Sequence, residues 1–210
     1  MFKILKNFTL PLFILIATFS ISKTTFAIDP DQALADLQKT TLSTGPNGES
    51  PVSASEINLT DAEITKIKAM NATAVIPMHI MSGDWSQAQI NGLKHQFEIM
   101  GIEVLAVTDA GFKAEKQVSD IETLLAKNPD ILVSIPTDPT ATAPAYRKAA
   151  EQGVILVFMD NVPNGFVAGK DYISSVSADN MGNGVAAAHL MAKSLNQKGE
   201  IGIIFHAADF

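Results

Sequence analysis

The sequence predicts an α/β fold built on a doubly wound parallel sheet. Apolar runs typical of strands recur along the chain and begin at Thr73, Ile102, Ile131 and Val154. The runs are continuous rather than alternating, which is the pattern of strands buried on both faces. Helical spacing of apolar residues fills the segments between them. Alternating strands and helices form βαβ units, whose right-handed crossovers produce a parallel sheet covered by helices.

The first 27 residues have the features of a secretory signal peptide. Lys3 and Lys6 give a basic start, residues 8–21 form an apolar core, and residues 25–27 end the segment with a small-x-small pattern. The apolar core is shorter than the roughly 20 residues that cross a bilayer. We therefore expect cleavage after Ala27 and a soluble protein of the periplasm.

Composition narrows the classes of partner. Cleavage after Ala27 removes three lysines and no acid, which takes the formal net charge from −7 to −10. Such an acidic chain is a poor match for nucleic acid or an anionic membrane surface. The absence of cysteine excludes a disulfide framework and a lipid-anchored cysteine. No metal or cofactor motif is present, so we expect no cofactor.

Residues 28–70 are expected to form an N-terminal arm followed by a short helix. Residues 28–55 mix Asp, Pro, Gly, Ser and Thr with little periodicity, which predicts an extended, poorly ordered segment. Thr60 and Glu63 then have the spacing of a capping box. This motif predicts a helix that begins there and ends near Met70.

Residues 71–178 are predicted to form the main α/β lobe. Helices between its strands are indicated by apolar residues at positions 90, 93, 97 and 100, at positions 118, 121 and 125, and within residues 145–152. Gly101 and Gly153 stand where a helix ends and a strand begins. A left-handed C-terminal cap favours glycine at such positions.

An aspartate follows each of the four predicted strands, and these positions are Asp84, Asp109, Asp138 and Asp160. Ligands of a parallel sheet bind beyond the carboxyl ends of its strands, so all four are candidate ligand-binding residues. Asp84 has an alternative role as a helix cap, and Asp109 and Asp138 have one as turn residues. Asp160 and Asn161 precede no helix, which favours ligand contact for this pair.

The residue types at this edge suit a monosaccharide or a polyol. A carboxylate accepts two hydroxyl hydrogen bonds, and the Asn161 amide both donates and accepts. Trp85, which follows Asp84, has an aromatic face that can cover the apolar side of a sugar ring. The alternative is that Trp85 only packs the start of its helix.

The motifs PTDPTA, FMDN and SADNMGNGVAA stand in this order within residues 73–210. Together they resemble the type I periplasmic sugar-binding proteins of ABC transporters, the ribose-binding group. The resemblance implies two doubly wound lobes that close on one sugar and deliver it to a membrane permease. It also implies roles for Asp160 at the end of the fourth strand, and for Asp179 and Asn180 before the helix into the second lobe.

The chain departs from the ribose-binding pattern at two places. Members of that group tend to have an aromatic pair after the first strand, where this chain has Asp84 and Trp85. An arginine usually follows the fourth-strand aspartate in that group, and this chain has Asn161, which lacks the five-donor guanidinium fork. A different pentose, a hexose or a sugar alcohol is therefore the expected ligand class.

By the same resemblance, residues 179–210 are a connecting helix and the first strand, at 201–205, of a second lobe that is only begun. The chain is thus expected to be an N-terminal fragment of a protein that is monomeric when complete.

Other functions are less consistent with the sequence. The histidines lie outside any zinc-protease, nucleophile-elbow or phosphate-loop motif, and they are His79, His95, His189 and His206. We therefore expect no enzyme activity. A repressor core shares this fold, but a basic helix-turn-helix segment is lacking. An alternative function is that of a sensor that presents bound sugar to a chemoreceptor or a kinase.

Overall fold

A computed structural model describes residues 28–204 of the chain. The predicted signal peptide and residues 205–210 lie outside the described residues. The strands are β1 (Thr73–Met78), β2 (Glu103–Asp109), β3 (Ile131–Ser134), β4 (Ile155–Met159) and β5 (Ser174–Val176). The helices are α1 (Pro30–Leu37), α2 (Asp61–Met70), α3 (Asp84–Met100), α4 (Ala114–Leu125), α5 (Ala143–Glu151) and α6 (Asn180–Ser194), with a short 3-10 helix at Ala54–Glu56.

The strands form one parallel sheet in the order β2-β1-β3-β4-β5. The predicted α/β class and parallel sheet are confirmed, and each of the four predicted strands begins within one residue of its expected position. Successive residues of β1 alternate between the two faces: Val75 packs in a core with Ile121 of α4 and Tyr146 of α5. Ile76 packs on the other face with Ile90 of α3. Helices cover both faces, as the doubly wound prediction requires.

Local signals set several of the helix ends. The Thr60 hydroxyl accepts a hydrogen bond from the Glu63 amide, and the Glu63 carboxylate accepts one from the Thr60 amide, so the capping box is confirmed. Gly101 ends α3 with a left-handed φ of 69°, and Gly153 has a φ of 85°. Both glycines therefore have the conformation that their positions predicted.

The N-terminal arm differs from the expectation of an extended segment, because α1 forms within it. The Asp29 carboxylate caps this helix by accepting a hydrogen bond from the Asp31 amide, and Pro30 occupies its first turn. Helix α1 packs against α6, and Lys193 of α6 forms an ion pair with Asp31. The partner helix lies more than 140 residues away along the chain, so tertiary packing stabilises α1.

Two further differences concern strands. β5 was not predicted; it has three residues, and the backbone of β4 provides its hydrogen-bonding partner. The prediction of a strand at 201–205 is wrong for residues 201–204, because these residues have no regular secondary structure and are exposed. A strand requires a neighbour for its backbone groups, and none of the described residues pairs with this segment. Within residues 28–204, no helix has the length and apolar character that spanning a membrane requires.

Candidate functional site

The candidate site lies at the carboxyl edge of the sheet. The chain passes from β1 to β2 on one side and then crosses to β3 on the other side of β1. A topological switch point therefore lies between β1 and β3, and the crevice at such a point is where open parallel sheets bind ligands. The loops after β1, β2, β3 and β4 border this crevice.

Three aromatic rings, His79, Trp85 and Phe112, form a group that we call the aromatic cluster. The His79 ring lies edge-on to Trp85 with 6.1 Å between centroids, and edge-on to Phe112 with 5.2 Å between centroids. The Trp85 and Phe112 side chains are 53% and 61% exposed. Trp85 therefore does not belong to the core, and the two exposed rings present apolar faces at the sheet edge.

His79 is partly buried at the centre of this cluster. Burial lowers the pKa of His79 below its ordinary value, and the negative charges of Asp160 and Asp109 oppose that shift. The ring is consequently neutral at pH 7, with one nitrogen able to donate and the other able to accept a hydrogen bond. Its Nδ1 atom is buried and has no hydrogen-bond partner among the described residues.

Asp160 has an uncommon backbone conformation directly after β4. Its φ of 57° is left-handed, which few residues other than glycine adopt. Its amide donates to the Val176 carbonyl at 2.9 Å, and its Oδ1 atom accepts from the Ser177 hydroxyl at 3.1 Å. Oδ2 and the Asn161 side chain make no hydrogen bond within residues 28–204. Strained residues with spare hydrogen-bonding capacity cluster at binding sites.

Asp109 and Asp138 organise the loops in which they stand. The Asp109 carboxylate accepts hydrogen bonds from the Gly111 amide at 2.8 Å and the Met81 amide at 3.2 Å, so it links the β1 and β2 loops. The Asp138 carboxylate accepts from the Thr140 and Ala141 amides, both at 2.8 Å. These contacts support the turn interpretation, and a ligand contact for either residue stays a prediction.

Asp84 is exposed at the first position of α3, next to Trp85. Gly83, not Asp84, is the N-cap residue of this helix, and no side chain caps it. The capping alternative for Asp84 is therefore wrong. Its carboxylate is free to interact favourably with the helix dipole and to contact a ligand, and the latter role stays a prediction.

Asp179 binds the N-terminal arm. Its carboxylate accepts hydrogen bonds from the Leu42 and Ser43 amides at 2.9 Å, from the Ser43 hydroxyl at 2.8 Å and from the Gly182 amide at 2.9 Å. These hydrogen bonds, that of Leu42 foremost, lower the pKa of Asp179 to about 2. Contact with a sugar would compete with them. Asn180 donates to the Ser177 hydroxyl at 3.2 Å, and that hydroxyl binds Asp160, so Asn180 supports Asp160 indirectly.

Comparison with known proteins identifies the family of the chain. The family model of the periplasmic binding protein domain matches residues 74–210. The chain belongs to the periplasmic binding protein family. This is a family of binding proteins. No curated protein sequence matches the chain at a significant level.

Several solved structures share the fold. An ABC sugar transporter subunit from Rhodobacter sphaeroides 2.4.1 is 26% identical with a TM-score of 0.53 over 61% of this chain and 43% of its own. The Caulobacter myo-inositol binding protein bound to myo-inositol is 26% identical, with a TM-score of 0.52 over 60% of this chain and 41% of its own. An arabinose binding protein from Geobacillus stearothermophilus is 26% identical, with a TM-score of 0.53 over 61% and 43%. The chain spans about two fifths of the length of these structures.

Sequence reasoning missed two members of the site, His79 and Phe112. His79 directly follows β1 and Phe112 closes the turn after β2, so the strand-end rule that selected the aspartates applied equally to them. The contacts of His79 with Trp85 and with Phe112 bring together two loops and a helix, and no pattern within one segment encodes them. Within the described part of the chain, no group of His, Asp or Glu residues is arranged to hold a metal ion.

Proposed function

We propose that this periplasmic binding protein captures a monosaccharide or polyol at the carboxyl edge of its sheet for an ABC permease. The observation that carries the proposal is that two kinds of group occur together at the switch point. Asp160 and Asn161 have spare hydrogen-bonding capacity, and the aromatic cluster presents exposed rings. In this proposal the protein works in the periplasm after cleavage behind Ala27.

Each side chain has a distinct part in binding. Asp160 accepts hydrogen bonds from ligand hydroxyls, and Asn161 adds a donor and an acceptor. The rings of Trp85 and Phe112 cover the apolar C–H face of the ligand. Neutral His79 contacts both rings, and the charge of Asp160 acts on its pKa, so its polar edge can contact a further hydroxyl of the ligand.

The charge of this edge favours a neutral, hydroxyl-rich ligand. Arg147, the one arginine of the sequence, pairs with Asp171 at 3.3 Å and lies 4.5 Å from the Phe166 ring centroid. It is therefore engaged elsewhere. A sugar or polyol supplies hydroxyl donors to the carboxylates without adding negative charge, whereas an anionic ligand would be repelled. The relatives named for myo-inositol and arabinose support the same ligand class.

The test is a titration of the purified chain with arabinose and with myo-inositol, followed by NMR of the backbone amides and the Trp85 indole. We expect shifts at Trp85, Asp160 and Asn161 and a dissociation constant of about 1 mM or weaker, because one wall of a cleft leaves the ligand open to water. Asp160→Ala should weaken binding by at least about 1.5 kcal/mol, the scale of a hydrogen bond to a charged group.

Asp120→Ala is the matched control. It also removes one carboxylate, but Asp120 pairs with Lys116 on α4, so sugar binding should not change. Two results would contradict the proposed site. One is that the sugar-induced NMR shifts are confined to the amino edge of the sheet, and the other is that Asp160→Ala binds sugar as tightly as the wild-type protein does.

A further inference from the structure

The backbone ladder between β1 and β3 ends before the carboxyl edge of the sheet. Their ladder contains only the pairs Ala74 with Ile131 and Val75 with Leu132. On the outer sides of the two strands, pairing with β2 and with β4 continues to the ends of β1 and β3. The stretch without ladder pairs therefore lies only at the boundary between β1 and β3, which is the topological switch point. We call this stretch the gap. Pro77 lies in this stretch and has no N–H to donate to a ladder.

A buried glutamine spans the gap. Gln117 of α4 has no exposed surface (0%). Its Nε2 atom donates to the Ile135 carbonyl at 2.9 Å and the Pro77 carbonyl at 3.2 Å, and its Oε1 atom accepts from the Thr137 amide at 2.7 Å. One side-chain amide thus replaces the backbone hydrogen bonds that β1 and β3 no longer make to each other.

Two hydroxyls complete the bridge. The Ser134 hydroxyl donates to the Pro77 carbonyl and lies 2.6 Å from the Tyr146 hydroxyl. Because the single Ser134 proton goes to Pro77, Tyr146 must be the donor to Ser134. Burial raises the pKa of Tyr146, which keeps that proton in place. We call Gln117, Ser134 and Tyr146 the polar wedge.

The wedge lies directly beneath the candidate site. Pro77 is two residues before His79, and Thr137 directly precedes Asp138. His79 Nδ1 and Thr137 Oγ1, on the two sides of the gap, are both buried without a hydrogen-bond partner among the described residues. Thr108 Oγ1 of β2 is a third buried atom without a partner among the described residues, so such atoms lie near the carboxyl ends of β1, β2 and β3. Buried polar atoms are rarely left unpaired.

We propose that the polar wedge sets the distance between the carboxyl ends of β1 and β3 and so positions the aromatic cluster and the β3 loop for the ligand. Gln117, Ser134 and Tyr146 are positioning residues, and they do not touch the ligand. The proposal rests on the proposed function for its effect on affinity, but its effect on the geometry of the edge is independent of that function.

Gln117→Met tests it, because methionine keeps much of the volume and makes none of the hydrogen bonds of the Gln117 amide. Tyr146→Phe is the second variant, since it removes one hydroxyl and keeps the ring. The readouts are acrylamide quenching of Trp85, which is the only tryptophan, the NMR titration of His79, and affinity for arabinose and myo-inositol. We expect both variants to change the quenching and the His79 titration, and to weaken sugar binding roughly tenfold.

Ile121→Val is the control for loss of stability. Ile121 is a buried residue of the same helix, and its contacts lie within the core. This variant should lower stability and leave all three readouts unchanged. If Gln117→Met and Tyr146→Phe behave in the same way as Ile121→Val, the wedge is only structural and the proposal is wrong. If Gln117→Met does not fold, Tyr146→Phe decides.

The two proposals fail differently. Suppose that the wild-type chain binds no pentose, hexose or polyol and that the wedge variants still alter Trp85 quenching and the His79 titration. The proposed function would then be refuted, and the positioning role of the wedge would be supported. If the wild-type chain binds sugar and the wedge variants bind it equally well, only the positioning role of the wedge is refuted.

Discussion

His79 shows how two opposing effects at one residue set its chemistry. Burial favours the neutral ring, and the carboxylates of Asp160 and Asp109 favour the charged one. Burial dominates, so His79 is uncharged at neutral pH and remains both a donor and an acceptor. A charged His79 would attract Asp160 and withdraw that carboxylate from the ligand, so the neutral state keeps both groups available.

We predict that the NMR titration of the His79 ring protons gives a pKa below the ordinary value of about 6.5. Asp160→Asn removes one of the charges that raise the pKa, so it should lower the pKa of His79 further, whereas Asp120→Asn on α4 should have no effect. Because the folded pKa is depressed, His79 contributes its full stability above about pH 6.5 and loses it as the pH falls toward the folded pKa. A higher His79 pKa in Asp160→Asn would contradict this electrostatic account.

At the scale of elements, the N-terminal arm and α6 form a unit through contacts with each other. Helix α1 packs along α6, and Asp179 at the N-terminus of α6 binds the arm backbone at Leu42 and Ser43. The same carboxylate caps α6 through the Gly182 amide. One side chain therefore fixes both the start of the helix and the path of the arm beside it.

Asp179→Asn should release this contact. The amide of asparagine is a weaker acceptor than a carboxylate and carries no charge, so the Leu42 and Ser43 amides should exchange hydrogen with solvent faster. The wild-type contact should persist well below pH 3.8, the ordinary value, and be lost as the pH falls through about 2, because the depressed pKa keeps Asp179 ionised.

Asp36→Asn is the control for this experiment, because within residues 28–204 the Asp36 carboxylate pairs only with Lys39 and Gln32, in and just after α1. Exchange at Leu42 and Ser43 should not change in that variant. Equal exchange rates in Asp179→Asn and the wild-type protein would show that packing of α1 on α6, rather than Asp179, holds the arm.

At the scale of the molecule, buried aromatic residues of the core stabilise the fold, and aromatic residues at the carboxyl edge are available for binding. Phe158 of β4 is fully buried, with the rings of Tyr146, Phe166 and Tyr172 around it at 5.1, 6.0 and 5.6 Å between centroids. At the carboxyl edge, Trp85 and Phe112 of the aromatic cluster are exposed instead. Aromatic residues inside the fold thus serve packing, and those at its edge are available to a ligand.

A pair of phenylalanine substitutions separates these roles. Phe158→Ala should lower the free energy of unfolding by about 3–5 kcal/mol, as expected for a buried aromatic ring. Phe112→Ala should change it by less than about 0.5 kcal/mol, because that side chain is mostly exposed, but should weaken sugar binding. Urea denaturation and sugar titration of both variants measure the two effects. Similar losses of stability in the two variants would mean that Phe112 belongs to the core.

The sequence by itself determined the elements whose signals are local and strong. The continuous apolar runs of β1 to β4, the capping box of α2 and the glycines after α3 and α5 each lie within one short segment. Their alternation is sufficient for a parallel sheet, and the strand-end rule then places the four aspartates at one edge. The family could be inferred from motifs in the same segments.

Only the tertiary structure decided which of these residues are free to bind. The strand-end rule cannot distinguish Asp160, with a spare carboxylate oxygen, from Asp179, whose carboxylate binds the arm, because the partner at Leu42 is distant in sequence. β5 and α1 depend on partners that the chain reaches only after folding, so their own residues carry weak signals. The aromatic cluster joins the loops after β1 and β2 to α3, and the polar wedge joins β3 to α4 and α5. Both form because side chains from separate elements meet, and a local pattern in the sequence does not record the distance between two elements.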